Sequence, residues 1–134
     1  MPHLFIVEDE PADLQTAIVV ASSIGIFGIE ARTSVRAATA YLDKVLQCEL
    51  PVPDAIIVDL DLPNEVGYEL LRLRYTTPQL AKIPIIVWTH LHESCREVCD
   101  LFKVDAIVFK WEGKEKLREA LEMVQSQPAN RFVA

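Results

Sequence analysis

Five short apolar runs punctuate the chain: Leu4 to Val7, Phe27 to Ala31, Ala55 to Val58, Ile83 to Trp88 and Ala106 to Phe109. Each has the length of a β-strand. All but the second are nearly continuous in Val, Ile, Leu, Phe and Ala, the pattern of strands in a parallel sheet covered on both faces. The second, with Glu30 inside it and Arg32 beside it, reads as an edge strand.

Segments of helical periodicity separate these runs. Pro11 suits a first helical position, and Leu14, Ala17, Ile18, Ala21 and Ile24 follow on one stripe. Ser34 is a helix cap before Val35, Ala38, Leu42 and Val45. Val66, Leu70 and Leu73 predict a third helix ending before Thr77-Pro78; Cys95, Val98, Cys99 and Phe102 a fourth; Leu117, Leu121 and Val124 a fifth. Five strand-helix units with short connections imply right-handed crossovers. The expected fold is α/β, a flavodoxin-like (βα)5 doubly wound parallel sheet of strand order 2-1-3-4-5, filling one domain over residues 1–126. Residues 127–134 read as a short C-terminal tail without an output domain.

Ligands of such open sheets bind beyond the carboxyl ends of the strands, near the point where strand order reverses. The first run is followed by Glu8-Asp9-Glu10, the third by Asp59-Leu60-Asp61, the fourth by Thr89-His90 and the fifth by Lys110. Four strand ends therefore deliver polar side chains to one edge. Carboxylates from adjacent strands repel, by about 4 kcal/mol for unit charges 4 Å apart at an effective dielectric of 20. A hard divalent cation relieves that repulsion, and Mg²⁺ takes one or two carboxylates while keeping room for a phosphate. Lys110 as a compact cation and Thr89 as a hydroxyl donor suit phosphoryl oxygens. The set points to Mg²⁺-dependent phosphoryl chemistry at a carboxylate.

Composition narrows the function further. The chain has 134 residues, a net charge of −7 and 51% hydrophobic residues, the profile of a packed, acidic globular domain with no affinity for a bare phosphate backbone. Nucleic acid is accordingly not expected as a partner. The N-terminus lacks a basic region, and the most hydrophobic stretch, Ala17 to Ile29, is shorter than the roughly 20 residues of a membrane span. The odd cysteine count, Cys48, Cys95 and Cys99, favours reduced thiols and a cytoplasmic setting.

From Leu4 to about Val124 the chain resembles the receiver domains of two-component response regulators. Ile6-Val7-Glu8-Asp9-Glu10 is similar to the acidic cluster of that family's first strand. Asp59-Leu60-Asp61-Leu62-Pro63 with Gly67 matches the phosphoacceptor Asp followed by Pro four and Gly eight residues later, and Thr89 and Lys110 complete the set. The resemblance implies that Asp59 takes a phosphoryl group from a phosphohistidine on a sensor histidine kinase. It also implies Mg²⁺ ligation by Asp9, Asp59 and the backbone carbonyl of Asp61, with Glu8 acting through water. Lys110 would pair with the carboxylate or phosphoryl group. Thr89 would move to bond the phosphoryl oxygen, biasing a two-state surface around the fourth helix, fifth strand and fifth helix. A phosphoacceptor that assists its own phosphorylation and dephosphorylation is not an enzyme in the turnover sense. Its implied partners are a sensor kinase or phosphotransfer protein and a separate downstream effector, and homodimerisation through the fourth and fifth helices stays open.

Four positions depart from the family pattern. Trp111 stands where the family usually has Pro, commonly after a cis bond; a non-proline cis bond costs about 3 kcal/mol, so the loop shape does not follow from the resemblance. Ile107 replaces the usual aromatic switch residue, which predicts a different transmission of the signal. His90 is large enough to narrow access or to contact a phosphoryl group. Asp61 adds negative charge near the water that attacks an acyl phosphate, which predicts altered dephosphorylation.

Two rival readings use the same residues. Asp59-Leu60-Asp61 resembles the nucleophile and acid pair of haloacid dehalogenase-type phosphatases, although that motif normally sits on the first strand. A phosphorylation-independent pseudo-receiver would share the fold without the chemistry. His90, His92, Cys95 and Cys99 offer a zinc-like spacing, but Cys95 and Cys99 fall on the apolar stripe of the fourth helix and read as core thiols. Trp88 and Trp111 read as packing residues beside the site.

Overall fold

The computed structural model describes residues 2–62, 65–91 and 93–126; of Glu65 and Val66 it describes the backbone. The proposed tail 127–134, Pro63 and His92 lie outside the described residues. Strands β1 (His3–Val7), β2 (Gly28–Arg32), β3 (Ala55–Val58), β6 (Ile85–Thr89) and β7 (Ala106–Phe109) form a parallel sheet of order β2-β1-β3-β6-β7. Counting the five long strands alone, this is the predicted order 2-1-3-4-5. Two two-residue strands, β4 (Asp61–Leu62) and β5 (Glu65–Val66), make an antiparallel hairpin directly after β3.

Helices α1 (Pro11–Ser23), α2 (Val35–Leu46), α3 (Tyr68–Thr76), α5 (Cys95–Leu101) and α6 (Lys114–Gln125) occupy the five expected places, joined by a one-turn α4 (Pro78–Ala81). Local chemistry sets their starts. Pro11 opens α1, and the Ser34 hydroxyl accepts the Ala37 N–H at 3.1 Å to cap α2. Val66 does not begin α3 but pairs with Asp61 in the hairpin, so the third helix starts two residues later than its apolar spacing suggested.

The sheet divides the core by alternation. Phe5, Val7, Ile56, Val58, Ile85, Val87 and Phe109 face the layer built by α2, α3, α4 and α5. Leu4, Ile6, Ile57, Ile86, Trp88 and Val108 face α1 and α6. Strands β3 and β6 are buried at every residue, whereas β2 at the edge is buried at none, which is why their sequences read as continuous and as mixed, respectively. At about 25 cal/mol per Å² of apolar surface, two such layers supply the driving force for a chain of this length.

Candidate functional site

Register brings the strand ends together. Val7 pairs with Val58 across β1 and β3, so Glu8 and Asp59, one residue further on each strand, become neighbours. Thr89 pairs with Phe109 across β6 and β7, and Lys110 follows at once in a 3-10 turn, Lys110–Glu112. The two-residue alternation then sorts the side chains by face. Glu8 continues the row of Leu4 and Ile6, Asp59 that of Ile57, and Lys110 that of Val108, so all three belong to the face covered by α1 and α6. Thr89 continues the row of Ile85 and Val87 and belongs to the opposite face.

Lys110 reaches from β7 past β6 to β3, its ammonium 4.9 Å from the centre of the buried Trp88 ring. The indole gives the cation an electron-rich surface in place of water. The ammonium donates to Glu8 Oε1 at 2.6 Å, to Asp13 Oδ2 at 2.7 Å and to Asp59 Oδ2 at 2.8 Å. A lysine ammonium carries three N–H bonds, and here all three are engaged. The remaining oxygens bond to the backbone: Asp59 Oδ1 accepts the Asp61 N–H at 2.9 Å, and Glu8 Oε2 accepts the Glu10 N–H at 3.1 Å. Buried charges that are paired and hydrogen-bonded in this way are tolerated, whereas unpaired ones are not.

Burial and charge shift two of these groups. Burial raises the Glu8 pKa to about 7, with the Asp59 charge adding to the rise and the Lys110 hydrogen bond opposing it. Burial acts to lower the Lys110 pKa, but hydrogen bonds to Asp13, Asp59 and Glu8 outweigh it and hold the ammonium above its usual value. Lysine therefore stays charged at any physiological pH, while Glu8 titrates near neutrality.

Above the three carboxylates opens a cleft of about 240 Å³ lined by Asp9, Glu10, Asp13, Asp59, Asp61, His90 and Lys110. Ligand oxygens of Glu8, Asp9 and Asp59 all lie within 4.8 Å of one another, a hard-oxygen set suited to a divalent cation. Asp61 is exposed at the rim. Gly67, at the start of α3, lies against the loop that follows β3: a Cβ there would stand 3.2 Å from the Asp59 carbonyl oxygen and 3.3 Å from Leu60 Cα, closer than side-chain carbons normally approach. Its N–H donates to the Leu60 carbonyl at 2.9 Å, so a side chain at this place would press on the segment that presents Asp59.

The predicted residues thus converge with one distinction. Glu8, Asp9, Asp59 and Lys110 share the site with Asp61 at its rim, while the fully buried Thr89 hydroxyl accepts the Leu91 N–H at 3.2 Å. Asp13 was not among the expected residues. As an acidic residue in the first turn of a helix it looks like ordinary complementation of the helix dipole, and the missing clue is that α1 covers the same face as Lys110. His90 Nε2 lies 3.9 Å from Asp13 Oδ2 at the cleft edge. Cys95 and Cys99 are buried on α5 in the apolar core, where burial pushes the Cys99 thiol up to about 12. Ile107, at the aromatic switch position, packs partly buried against the α2–α5 layer.

A doubly wound sheet whose carboxyl edge carries two carboxylates from adjacent strands and a lysine bridging them has the architecture of a receiver domain. The chain matches no family model. It is 32% identical over 121 aligned positions to the response regulator Rcp1 of Synechocystis sp., covering 75% of this chain and 82% of the relative. On that likeness the chain belongs to the response regulators of two-component signalling. The Mn²⁺-bound form of Rcp1 superposes with a TM-score of 0.75 at 27% identity, covering 95% of this chain and 91% of that one. The phosphorylated cyanobacterial phytochrome response regulator RcpA gives 0.77 over 94% and 92%, and at 24% identity bears on the fold alone. No helix among the described residues is long and apolar enough to cross a membrane.

Proposed function

We propose that this domain accepts a phosphoryl group on Asp59 from a phosphohistidine of a sensor histidine kinase or phosphotransfer protein, and signals to a separate effector through protein contacts or onward relay. The observation that carries the reading is the Asp59 carboxylate itself, buried, fixed at Oδ1 by the Asp61 N–H and at Oδ2 by Lys110, yet lining an open cleft. Both oxygens are fixed by hydrogen-bond donors at the wall of the cleft, an arrangement that suits a positioned nucleophile.

In the transfer, an Asp59 carboxylate oxygen attacks phosphorus. The new O–P bond forms as the donor's P–N bond breaks, and that bond's electron pair leaves with the imidazole nitrogen. Lys110 stays charged and donates to the oxygens that gain charge. Thr89, whose oxygen accepts the Leu91 N–H, turns to donate its hydroxyl proton to a phosphoryl oxygen, carrying the change to the face formed by α5, β7 and α6. Mg²⁺, which Asp9, Asp59 and the Asp61 carbonyl would hold directly and Glu8 through water, supplies when bound the positive charge that lets an anionic phosphoryl group approach this acidic site. Domain extent 1–126, action as a phosphoacceptor without turnover, and a cytoplasmic setting belong to the same proposal.

Intact mass measurement after incubation with acetyl phosphate and Mg²⁺ tests it. One phosphoryl group per chain is expected, absent after chelation and absent in Asp59→Ala. Steady hydrolysis of a phosphate ester would instead favour the phosphatase reading, and a wild-type chain left unmodified by small donors and histidine kinases would favour the pseudo-receiver.

A further inference from the structure

The Lys110 ammonium has three donors and three carboxylate acceptors, so a phosphoryl oxygen arriving on Asp59 can bond to it only if one acceptor gives way. The three acceptors differ. Glu8 and Asp59 sit at strand ends, their side chains 1% and 4% exposed, and each has its other oxygen fixed by a backbone N–H. Asp13 comes from a helix, is 27% exposed, and has water at hand to replace the lysine. Its Oδ2 also faces His90 at 3.9 Å, so a second positively chargeable group is available to it at the cleft edge.

We propose that Asp13 is a positioning residue for phosphoryl transfer: it holds Lys110 in a three-carboxylate cradle in the resting domain and competes for the ammonium with a phosphoryl group arriving at Asp59. The role rests on Asp59 being the acceptor. It follows from competition for one ammonium. The phosphoryl group brings about two negative charges and three strong acceptor oxygens to within reach of Lys110 while Asp59 gives up its own carboxylate charge, so Glu8 and Asp13 remain as the anionic competitors, and Asp13 is the more solvated of the two. Asp13 therefore opposes phosphorylation twice, by occupying a donor and by adding a negative charge to a cleft already lined by Asp9, Glu10, Asp59 and Asp61.

The test pairs phosphorylation with the fluorescence of Trp88, whose ring carries the Lys110 ammonium, in a Trp111→Phe background that leaves Trp88 as the sole tryptophan. Asp13→Asn, which keeps shape and removes charge, should phosphorylate with acetyl phosphate and Mg²⁺ roughly threefold to tenfold faster than the parent. It should also change Trp88 emission in metal-free, unphosphorylated protein, as the lysine settles between Glu8 and Asp59. Asp13→Glu, which retains the carboxylate, should restore the slow rate. A merely structural Asp13 would alter the melting temperature while leaving the rate per folded molecule unchanged. Equal rates and emission for Asp13→Asn and its parent, with the parent phosphorylating normally, would overturn this role alone. Failure of the parent to take a phosphoryl group from any donor would overturn the acceptor reading and this role with it.

Discussion

The indole of Trp111 lies flat on the ring of Phe109, centroids 4.5 Å apart and planes 11° from parallel, directly beside the lysine that reaches Asp59. The Lys110–Trp111 peptide is trans, as are all peptide bonds among the described residues. The turn is closed from within, the Phe109 N–H donating to Glu112 Oε1 at 2.9 Å. A proline is therefore not needed to shape the loop here, because stacking and a side-chain acceptor hold it.

From this stack follows the first prediction. Trp111 is 58% exposed, so Trp111→Ala removes the ring contact and little buried area. A loss of about 0.5–1.5 kcal/mol is expected in urea unfolding. Phosphoryl uptake on Asp59 should persist, since Trp111 does not line the cleft. A complete loss of uptake would mean that the stack, and not the turn's own hydrogen bond, positions Lys110.

Glu8 makes the metal-free domain pH-sensitive. Its pKa is 4.5 in a solvated chain and about 7 in the fold, so between those values the folded state keeps a proton that the unfolded state has lost. Stability from this group is complete below pH 4.5 and is lost as the pH rises through about 7. Urea midpoints measured without metal at pH 5.5 and pH 8 should show the decline, and Glu8→Gln should flatten it. An unchanged slope in Glu8→Gln would assign the titration elsewhere.

Metal removal should be visible in stability. With Mg²⁺ or Mn²⁺ at one hundred times its dissociation constant, the native state should gain about 2.7 kcal/mol, reversed by chelator. Asp9→Asn should abolish most of that gain while leaving the metal-free melting temperature close to the wild-type value, because Asp9 lines the cleft without anchoring the core. Calorimetric melts with and without metal give both numbers.

Away from the site, Arg74 is 4% exposed and joins four segments. Its guanidinium donates to the carbonyls of Ile83, Phe102 and Lys103 and pairs with Asp105 at 3.1 Å, and Asp105 also accepts the Ile85 N–H. Asp105→Ala leaves a buried guanidinium short of its counter-charge and should cost about 3–5 kcal/mol in chemical denaturation. The double variant Arg74→Met/Asp105→Ala should recover part of that loss, a sign that the single variant suffers from an uncompensated charge and not from lost packing.

Much of this molecule is legible in its sequence, for reasons that differ by element. Strand β3 keeps the bounds of its apolar run, because a strand buried on both faces admits no polar interruption; β7 keeps its bounds too, although it closes the sheet edge and is only half-buried at Ala106 and Ile107. The hairpin β4–β5 left no trace, since two-residue strands are too short for any periodicity, and Val66 was absorbed into the helix that follows. Glu8, Asp59 and Lys110 announced themselves as charges at the ends of hydrophobic runs. Asp13 did not, because its significance depends on which helix covers which face, a tertiary fact. Arg74 was hidden likewise: in the sequence it is one more charge on a polar helix.

The alternation that sorts these side chains has a consequence for how the protein can vary. Glu8, Asp59 and Lys110 meet because each stands two residues beyond an inward-facing neighbour on the same side, Ile6, Ile57 and Val108. A single-residue insertion within Ala55–Val58 would present Val58 where Asp59 now stands and turn Asp59 toward the α2–α5 layer, though no side chain had been altered. Loops and helix surfaces can lengthen or change freely by comparison. For this fold, strand length is a coding constraint as strict as residue identity, and drift in the family should accumulate as substitutions along these strands and as insertions between them.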